Sequence, residues 1–246
     1  MYNLRIFSPN KSCAPLRNLQ FNRRVFLRFG STTPLVSKFK YFELNTIEGV
    51  RMSSNKIIMK RIFDEQNIHH SDWISSSNIH HIINFFNKHK MLIAKHKRSS
   101  QGKGIYYIDT FESLMELINN IDLKDYVFEK YCFFPSEFRM HIDKDYGCFY
   151  ACKKVLMEDA EVEWHKHANN SIFVRIEDDK KPQCWDDIIK ECQTICTAMQ
   201  MNILCFDILC CDNDFIIVET NSAPALATYG LTYYSNHIQK YYGNNR

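Results

Sequence analysis

Alternating apolar and polar positions divide the chain of 246 residues into short helices and short strands. Apolar residues at helical spacing predict helices over 55–66, 77–89, 110–119 and 183–201, the last of them the longest. Apolar runs closed by turn-forming residues predict strands over 24–29, 39–44, 91–95, 105–108, 126–132, 137–142, 148–155, 171–176, 203–211 and 215–220. Because helices and strands do not alternate regularly, the pattern predicts an α+β fold rather than a doubly wound parallel sheet.

The last two predicted strands are joined by three turn-forming residues, Asp212-Asn213-Asp214, and therefore predict a β-hairpin. If Cys211 pairs with Phe215, this register places Asp207 directly opposite Glu219. Side chains that face each other in this way have Cβ atoms about 5 Å apart. Two carboxylates at that separation repel each other, so the hairpin requires a counter-charge, either a metal cation or a lysine or arginine.

A third oxygen donor, Asn221, follows Glu219 by two residues and projects from the same face of the strand. Oxygen ligands from Asp207, Glu219 and Asn221 suit Mg²⁺ or Mn²⁺, and Mg²⁺ commonly completes its coordination with water and substrate phosphates. The alternative is a solvated hairpin face that carries two unrelated acidic residues. The metal-site interpretation is favoured because the two acids are the only charged residues of 203–211 and 215–226.

With this hairpin, five upstream elements resemble those of the ATP-grasp superfamily, and the resemblance spans roughly residues 24–230. The acid pair and the turn that ends at Pro224 resemble the metal-binding D…E-x-N signature of that superfamily. The upstream elements are Asn55-Lys56, Ile93-Ala-Lys95, the glycine-containing segment 99–105, the segment 127–131 and Glu137-Phe-Arg139. The last of these is similar to the short E-x-R or D-x-R element of the RimK-like branch of carboxylate–amine ligases.

The resemblance implies the ATP-grasp fold, in which two α+β lobes enclose a nucleotide. A short N-terminal α/β segment over 1–54 would precede a central lobe over 55–132 and a C-terminal lobe over 133–246 that carries the metal site. The first segment is short for the usual N-terminal subdomain of these ligases. The acceptor pocket would therefore be open or small, or it would be completed by a partner or a second subunit.

The resemblance also assigns roles to residues outside the metal site. Nucleotide binding falls to Lys56, Lys95, Ser100, Gly102, Gly104, Glu129, Lys130, Tyr131 and Glu137, and catalysis falls to Arg139 and Lys153. The lysines would neutralise phosphate charge, and the glycines would let backbone N–H groups approach phosphate oxygens. The backbone of 129–131 would contact adenine, Glu137 the ribose hydroxyls, and Arg139 the γ-phosphate or a substrate carboxylate. If Lys153 and Lys154 lie on a strand, only one of them faces the site, and Lys153 is preferred.

Two of these elements have simpler alternatives when each is taken alone. Lys95 has the position of an ordinary lysine at the end of a strand. The segment 99–104 has the composition of a plain hairpin turn. Only the order of the elements along the chain favours the nucleotide-binding interpretation.

The implied activity is that of an ATP-dependent, ADP-forming ligase that joins a carboxylate to an amine. The amine belongs either to a small molecule or to a peptide or protein terminus. ATP, with Mg²⁺ or Mn²⁺, would phosphorylate the carboxylate to an acylphosphate, which the amine then attacks. The acceptor side is expected over 164–170. The alternative is a nucleotide-binding or regulatory protein that keeps the fold without ligation.

Composition limits the other classes of function. An apolar content of 45% and a charged content of 24% are typical of soluble globular proteins. Ten cysteines without a C-x-x-C pair indicate free thiols in a reducing, cytoplasmic setting. The absence of an apolar run long enough to cross a bilayer argues against a membrane role.

The N-terminal part of the chain has an unusual distribution of charge. Eight basic residues and no acidic residue precede Glu43. Such a start is typical of an organellar transit peptide or of a folded segment with a basic face, and the strand pattern over 24–29 favours the folded segment. A nucleic-acid-associated protein that uses this segment is a third hypothesis, which the net charge of only +3 disfavours.

Overall fold

The computed structural model describes residues 1–9, 11–99, 104–157 and 171–243. Its helices are α1 (Ile47–Ser53), α2 (Lys56–Glu65), α3 (Ile79–His89), α4 (Phe111–Asn120), α5 (Trp185–Ala198) and α6 (Thr228–Tyr242). Its strands are β1 (Tyr2–Asn3), β2 (Arg5–Phe7), β3 (Gln20–Phe21), β4 (Val25–Arg28), β5 (Phe42–Leu44), β6 (Trp73–Ile74), β7 (Leu92–His96), β8 (Ile105–Ile108), β9 (Tyr126–Lys130), β10 (Ser136–Asp143), β11 (Gly147–Leu156), β12 (Ser171–Arg175), β13 (Ile203–Cys210) and β14 (Phe215–Asn221). This set of elements confirms the predicted α+β class.

A small N-terminal sheet consists of the parallel strands β2, β4 and β5, and beside it β1 and β3 pair antiparallel. Val25 and Leu27 of β4 and Leu44 of β5 are fully buried on one side of this sheet. They share a hydrophobic core with Tyr234 and Ile238 of α6. The C-terminal helix therefore closes the core of the N-terminal sheet.

The second sheet is antiparallel, has the strand order β6-β9-β7-β8, and shares one core with α3 and α4. Both helices begin at polar caps. The side chain of Asn78 accepts the N–H of His80 at 2.9 Å, and Thr110 forms a capping box with Ser113. The apolar faces of the two helices contribute Ile82, Phe86, Leu114, Leu117 and Ile118 to the core.

The third and largest sheet is antiparallel, with the strand order β12-β11-β10-β13-β14. Helix α5 packs on one of its faces, and α2 adds side chains to the same core. The core residues contributed by α5 and α2 include Met59, Phe63, Ile188, Cys192 and Ile195. The opposite face of the sheet is left for polar side chains and for α6.

Helix α5 is shorter than the predicted span 183–201. It ends at Ala198 because Gln200 adopts a positive φ of 55°, and the N–H of Met201 then donates to the carbonyl oxygen of Cys196 at 2.8 Å. This backbone reversal is a common way to close a helix and satisfy its last carbonyls.

Helix α6 was not among the predicted elements, and at 15 residues it is one residue longer than α5. The prediction that the helix over 183–201 is the longest is therefore wrong. The buried positions of α6 include Gly230, Tyr234, Ile238 and Tyr242, which follow an i, i+4 spacing. Glycine and tyrosine at three of these positions hide the apolar pattern that would have indicated a helix.

The hairpin of β13 and β14 pairs Asp207 with Glu219, as predicted, but through a different register at the turn. Phe215 pairs with Cys210 and not with Cys211, so the predicted pairing at the turn is wrong by one residue. A β-bulge next to Asp207 adds one residue to β14 and restores the alignment with Glu219. The turn residues alone could not predict this irregularity.

All ten cysteines are free, and seven of them are buried. Burial raises the pKa of the Cys192 and Cys196 thiols well above its ordinary value, so these residues act as small hydrophobic side chains. Within the described residues, no helix has both the length and the apolar character that crossing a membrane requires.

Candidate functional site

The candidate site lies on the face of the third sheet that is turned away from α5. Side chains alternate between the two faces along a strand. On β10, Phe138 and Met140 belong to the core beneath α5, so Glu137 and Arg139 project from the opposite face. Antiparallel pairing aligns Asp207 of β13 with Arg139. The site is therefore built from neighbouring strands and has a rigid base.

Arg139 and Asp207 form a two-point ion pair across these strands. Nε of Arg139 is 2.7 Å from Oδ1 of Asp207, and Nη2 is 2.8 Å from Oδ2. Both side chains are largely buried. Burial alone would raise the pKa of Asp207, but the guanidinium group overcomes this effect and lowers it. Arg139 thus supplies the counter-charge that the acidic hairpin requires.

Glu219 faces Asp207 from β14 and is the more accessible of the two acids, with 34% of its side chain exposed. Oε2 of Glu219 is 3.9 Å from Nζ of Lys56, the first residue of α2. Asn221 is near the end of β14, where its Oδ1 accepts the N–H of Ala223 at 2.9 Å. The amide of Asn221 therefore also supports the turn that follows the strand.

The three predicted metal ligands have the donor chemistry that Mg²⁺ and Mn²⁺ prefer. Each already makes a contact within the chain, but carboxylate and amide oxygens carry more than one lone pair and can accept further bonds. No group of three or more His, Cys, Asp or Glu side chains is arranged to hold a metal in the described part of the chain. Asp207 and Glu219 with the amide of Asn221 fit a cation that also binds phosphate and water.

A buried cluster of charges joins the second sheet to α2. Nζ of Lys60 lies 2.9 Å from Oε2 of Glu129, and Nζ of Lys95 lies 3.0 Å from Oε1 of the same carboxylate. The hydroxyl of Ser71 also donates to Glu129 at 3.1 Å. Burial would raise the pKa of Glu129, but the two lysines lower it to about 2. Glu129 is therefore a permanent anion that holds both lysines.

The two lysines of this cluster differ in their access to solvent and in their pKa. Lys60 is completely buried on α2, and burial lowers its pKa. Lys95 is 10% exposed, and the attraction of Glu129 and then Glu219 raises its pKa against the effect of burial. Lys95 is thus the member of the pair that remains within reach of a ligand.

Lys56 connects the start of α2 with the glycine-containing segment. Its backbone N–H donates to the carbonyl oxygen of Lys97 at 3.0 Å, and its Nζ donates to the carbonyl oxygen of Ser99 at 2.8 Å. Gly104, at the other end of that segment, has a φ of +64°, which a residue without a side chain adopts most easily. Ser100 and Gly102 lie outside the described residues, as does the expected acceptor segment 164–170.

Lys154, and not Lys153, shares the face of Arg139. The register pairs Lys154 with Glu137 and Lys153 with Phe138, which lies on the face beneath α5. Nζ of Lys154 donates to Oε1 of Glu137 at 2.8 Å. The preference for Lys153 therefore does not agree with its position, because the sequence could not show which of two adjacent lysines points to which side of the strand.

The segment predicted to contact adenine has most of its backbone donors engaged. Strand β9 is in the interior of the second sheet, between β6 and β7. The N–H of Lys130 donates to the carbonyl oxygen of Asp72 at 2.8 Å, and the N–H of Tyr131 donates to that of Met91 at 3.0 Å. The side-chain carboxylate of Glu129 is paired with Lys60 and Lys95. Because the backbone N–H groups of Lys130 and Tyr131 already donate within the protein, an adenine contact from these residues would use their carbonyl oxygens.

A buried histidine lies behind the ion pair, on the same face of β10. Nδ1 of His141 is 2.9 Å from the hydroxyl oxygen of Tyr234, and Nε2 is 3.8 Å from Sγ of Cys205. Burial, assisted by the charge of Arg139, lowers the pKa of His141 to about 3. His141 is therefore a neutral link between the third sheet and α6.

Comparisons with known proteins agree at the level of the fold. No protein-family model and no curated protein matches the sequence. Among solved structures, D-alanine–D-alanine ligase from Bacillus anthracis is 16% identical with a TM-score of 0.62, over 80% of this chain and 66% of that protein. N5-carboxyaminoimidazole synthetase from Staphylococcus aureus complexed with ADP is 15% identical with a TM-score of 0.65, over 84% and 56%. The ATP-grasp ligase PsnB complexed with a minimal precursor is 10% identical with a TM-score of 0.60, over 81% and 64%.

The chain has the ATP-grasp fold. The predicted fold is thereby confirmed. The chain spans between 56% and 66% of the length of these three neighbours. Two of the three are named as ligases and the third as a synthetase, and at 10–16% identity the likeness shows the fold alone.

Within this ATP-grasp fold, seven of the fourteen predicted site residues lie around the hairpin or in the charged cluster on Glu129. Those that lie on the shared face or in the charged cluster are Lys56, Lys95, Glu129, Glu137, Arg139, Asp207 and Glu219. Lys60, which completes the pair of lysines around Glu129, was not among the predicted site residues. The signal was present, because Lys60 follows Lys56 by four residues and therefore shares its side of the helix.

Proposed function

We propose that this chain is an ATP-dependent, ADP-forming ligase of the RimK-like kind that joins a carboxylate to an amine or peptide. The observation that carries the proposal is the 3.9 Å separation between Nζ of Lys56 and Oε2 of Glu219. It brings Lys56, which also binds the carbonyl oxygens of Lys97 and Ser99 after β7, to the acid pair of the third sheet. Such a meeting of phosphate-binding cations with hard oxygen ligands suits a nucleoside triphosphate with its divalent cation.

In this proposal Lys56 and Lys95 bind the phosphates, together with backbone N–H groups of Ser100, Gly102 and Gly104. The backbone of Glu129, Lys130 and Tyr131 lines the adenine, and Glu137 contacts the ribose. The release of Lys95 from Glu129 to phosphate leaves Glu129 neutralised by Lys60, which supports the use of Lys95 as the mobile cation.

Asp207, Glu219 and Asn221 would hold Mg²⁺ or Mn²⁺, which supplies charge neutralisation for the phosphate oxygens. Arg139 and Lys154 lie on the same face and stabilise the negative charge that develops on the transferred phosphoryl group. Lys154 takes the catalytic role first expected of Lys153, because of the two it is the one that pairs with Glu137.

The proposed reaction has two steps and needs no nucleophile from the protein. A substrate carboxylate oxygen attacks the γ-phosphorus, the bond to the β-phosphate oxygen breaks, and ADP leaves with that electron pair. The amine nitrogen then attacks the acyl carbon of the acylphosphate, phosphate leaves, and the nitrogen loses a proton. Positioning and charge neutralisation provide the rate enhancement.

The positions of the three larger sheets along the chain support its division into segments over 1–54, 55–132 and 133–246. Each of the three larger sheets falls within one of them. The packing of α6 on the first sheet joins the first and last segments, so the division describes the nucleotide lobes and not independently folding units. Ten free thiols support a reducing, cytoplasmic location.

A second candidate is a nucleotide-binding protein that does not ligate. The observation that favours it is the Arg139–Asp207 ion pair, which engages both oxygens of one proposed metal ligand. In such a protein the pair would persist in the presence of ATP, and Asp207 would not be released to the cation.

Thermal unfolding with ATP and MgCl₂ tests the nucleotide site, and the matched variant is Glu219→Gln. We expect the melting temperature of the parent protein to rise with ATP only when Mg²⁺ is present, and this dependence to be lost in Glu219→Gln. Absence of any shift in the parent would exclude the nucleotide proposal. Measurement of ADP formed with a panel of amino acids and peptides separates the two candidates, because ATP binding without ADP formation supports the non-ligating protein.

A further inference from the structure

The first 42 residues concentrate the positive charge of the chain. Eight of the 31 basic residues and none of the 28 acidic residues precede Glu43, so this segment carries +8 and the remainder carries −5. The net charge of +3 conceals this separation. Arg28 is buried and pairs with Glu43, whereas the other seven basic side chains have no ion-pair partner among the described residues.

Three arginines of this segment stack on one short aromatic stretch, residues 39–42. The distances from guanidinium carbon to ring centre are 4.1 Å for Arg24 on Phe39, 3.9 Å for Arg23 on Phe42 and 5.8 Å for Arg5 on Tyr41. Arg24 also lies 4.4 Å from the ring of Tyr2. Lys38 and Lys40 are exposed beside them. We call these residues the basic–aromatic surface: Tyr2, Arg5, Arg23, Arg24, Lys38, Phe39, Lys40, Tyr41 and Phe42.

The stacking leaves both charge and ring surface available to a ligand. A guanidinium group that packs through its flat face keeps N–H donors at its edge, where phosphate oxygens are bound. Arg23 uses one donor, Nε, to bind the carbonyl oxygen of Tyr242 at 3.0 Å, which holds it in place. Phe39 remains 59% exposed and Tyr2 42% exposed. The surface therefore combines fixed cationic donors with accessible aromatic faces.

We infer that the basic–aromatic surface binds single-stranded nucleic acid. Proteins that bind single strands combine a positive surface for the phosphates with aromatic side chains on which bases stack, and arginine adds cation–π contacts. An acidic peptide would use the charges but has no need of the exposed rings. An anionic membrane would take up protruding apolar side chains, and Val36 beside this surface is 84% exposed, but the rings of Phe39, Tyr41 and Phe42 are each covered on one side by a guanidinium group.

The basic–aromatic surface and the proposed ATP site lie at opposite ends of β4. Arg23 and Arg24 precede this strand, whereas Gly30 follows it and packs so closely on Ala223 that an added Cβ would lie 2.4 Å from the Cβ of Ala223. Ala223 belongs to the turn after Asn221. Nucleic acid at one end would therefore leave the nucleotide site open, and the inference does not depend on the proposed function.

Fluorescence anisotropy with a labelled oligouridylate of about 20 nucleotides tests the inference across a series of salt concentrations. The parent protein should bind with an affinity that falls linearly with salt on a log–log plot. Loss of three phosphate-contacting cations in Arg5→Gln/Arg23→Gln/Arg24→Gln should reduce the slope by about 2. Because Arg23 also has a structural hydrogen bond, Lys38→Gln/Lys40→Gln is a second variant, and its slope should fall by about 1.

Matched controls separate this surface from a general effect of charge. The triple variant Lys88→Gln/Lys124→Gln/Lys180→Gln removes the same charge from lysines that are each at least 68% exposed elsewhere on the protein. It should leave the slope unchanged. Phe39→Ala should weaken binding about five-fold or more through lost base stacking, whereas Phe111→Ala, which removes another exposed ring, should not.

Three outcomes would overturn the inference. The parent could fail to bind the oligonucleotide at low salt, or the control triple variant could lose as much affinity as the arginine triple variant. In the third, the parent binds polyglutamate or vesicles of phosphatidylserine more tightly than the oligonucleotide, and Phe39→Ala leaves oligonucleotide affinity unchanged. That result would assign the surface to an acidic protein or to a membrane.

Discussion

Arg139 and Asp207 are joined by two parallel hydrogen bonds of 2.7 and 2.8 Å between neighbouring strands of the third sheet. Glu219 stands opposite Asp207 on the next strand, and Lys56 approaches it from α2. The two adjacent carboxylates are thus flanked by one cationic side chain on each side. Binding of a nucleotide with its cation would exchange some of these internal partners for phosphate and metal. Substitutions in the ion pairs should therefore change both the stability of the protein and its affinity for the nucleotide.

The buried Arg139–Asp207 pair should be costly to break from one side only. Arg139→Met or Asp207→Leu leaves one buried charge without its partner and should lower the free energy of unfolding by about 3–5 kcal/mol. The double variant removes both charges and should be less destabilised than either single variant. Urea unfolding monitored by circular dichroism measures the free energy of unfolding of the parent, the two single variants and the double variant. Additive effects in the double variant would contradict this account of the pair.

Lys60 should control the availability of Lys95, because both bind the carboxylate of Glu129. In Lys60→Met, Glu129 keeps Lys95 as its only lysine partner, so the release of Lys95 to phosphate becomes more costly. The affinity for ATP should fall about ten-fold, which corresponds to about 1.4 kcal/mol. Titration calorimetry measures the affinity of the parent and of Lys60→Met for ATP.

The control for Lys60 is Arg61→Met, on the exposed side of the same helix, which should bind ATP like the parent. Adding Glu129→Gln to Lys60→Met should restore part of the affinity, since the remaining anion is gone. An unchanged affinity in Lys60→Met, with ATP binding intact in the parent, would reject this role for Lys60.

Lys154 and Lys153 provide an adjacent pair of opposite orientation. Lys154→Met should weaken the stabilisation by ATP and Mg²⁺, because Lys154 shares the face of Arg139 and pairs with Glu137. Lys153→Met should leave that stabilisation nearly unchanged. The difference in melting temperature with and without ligand is the measurement. Equal effects of the two substitutions would show that the strand register does not decide the role.

The stability of the protein should depend on pH through His141. Its pKa is lowered from 6.5 to about 3 in the folded state, mainly by burial. Below pH 6.5 the unfolded chain therefore binds a proton at His141, whereas the folded protein keeps this side chain neutral. Stability from this group is therefore complete above pH 6.5 and is lost as the pH falls, by up to about 1.4 kcal/mol per pH unit.

Urea unfolding between pH 6.5 and 5 measures this dependence, and His141→Gln should reduce its slope, with a remainder from His70 and His89, whose pKa values burial also lowers. The exposed residue His80 provides the control, since His80→Gln should keep the dependence of the parent. A slope that is the same in the parent and in His141→Gln would assign the pH dependence to other groups.

Much of the fold and part of the site could be predicted from local patterns. The capped helices α3 and α4 have polar caps and apolar spacing that are readable along the chain. The hairpin itself was predictable from its two apolar strands and short turn, but the pairing of Asp207 with Glu219 depends on a β-bulge that offsets a one-residue error in the predicted turn register. Helix α6 was not predictable in this way, since tyrosines and a glycine at its buried positions give no clear apolar period.

The sequence by itself determined which chemical groups the protein has and which of them are neighbours along a strand or helix. That information predicted the acid pair, whereas the roles of Lys56 and Arg139 came from the family resemblance and stay predictions. The tertiary structure alone decided that Arg139 neutralises Asp207, that Lys154 shares their face, and that Lys60 and Lys95 meet on Glu129. The physical reason is that these contacts join strands and helices far apart in the chain, and strand register and burial, which local spacing does not encode, set which charges can reach each other.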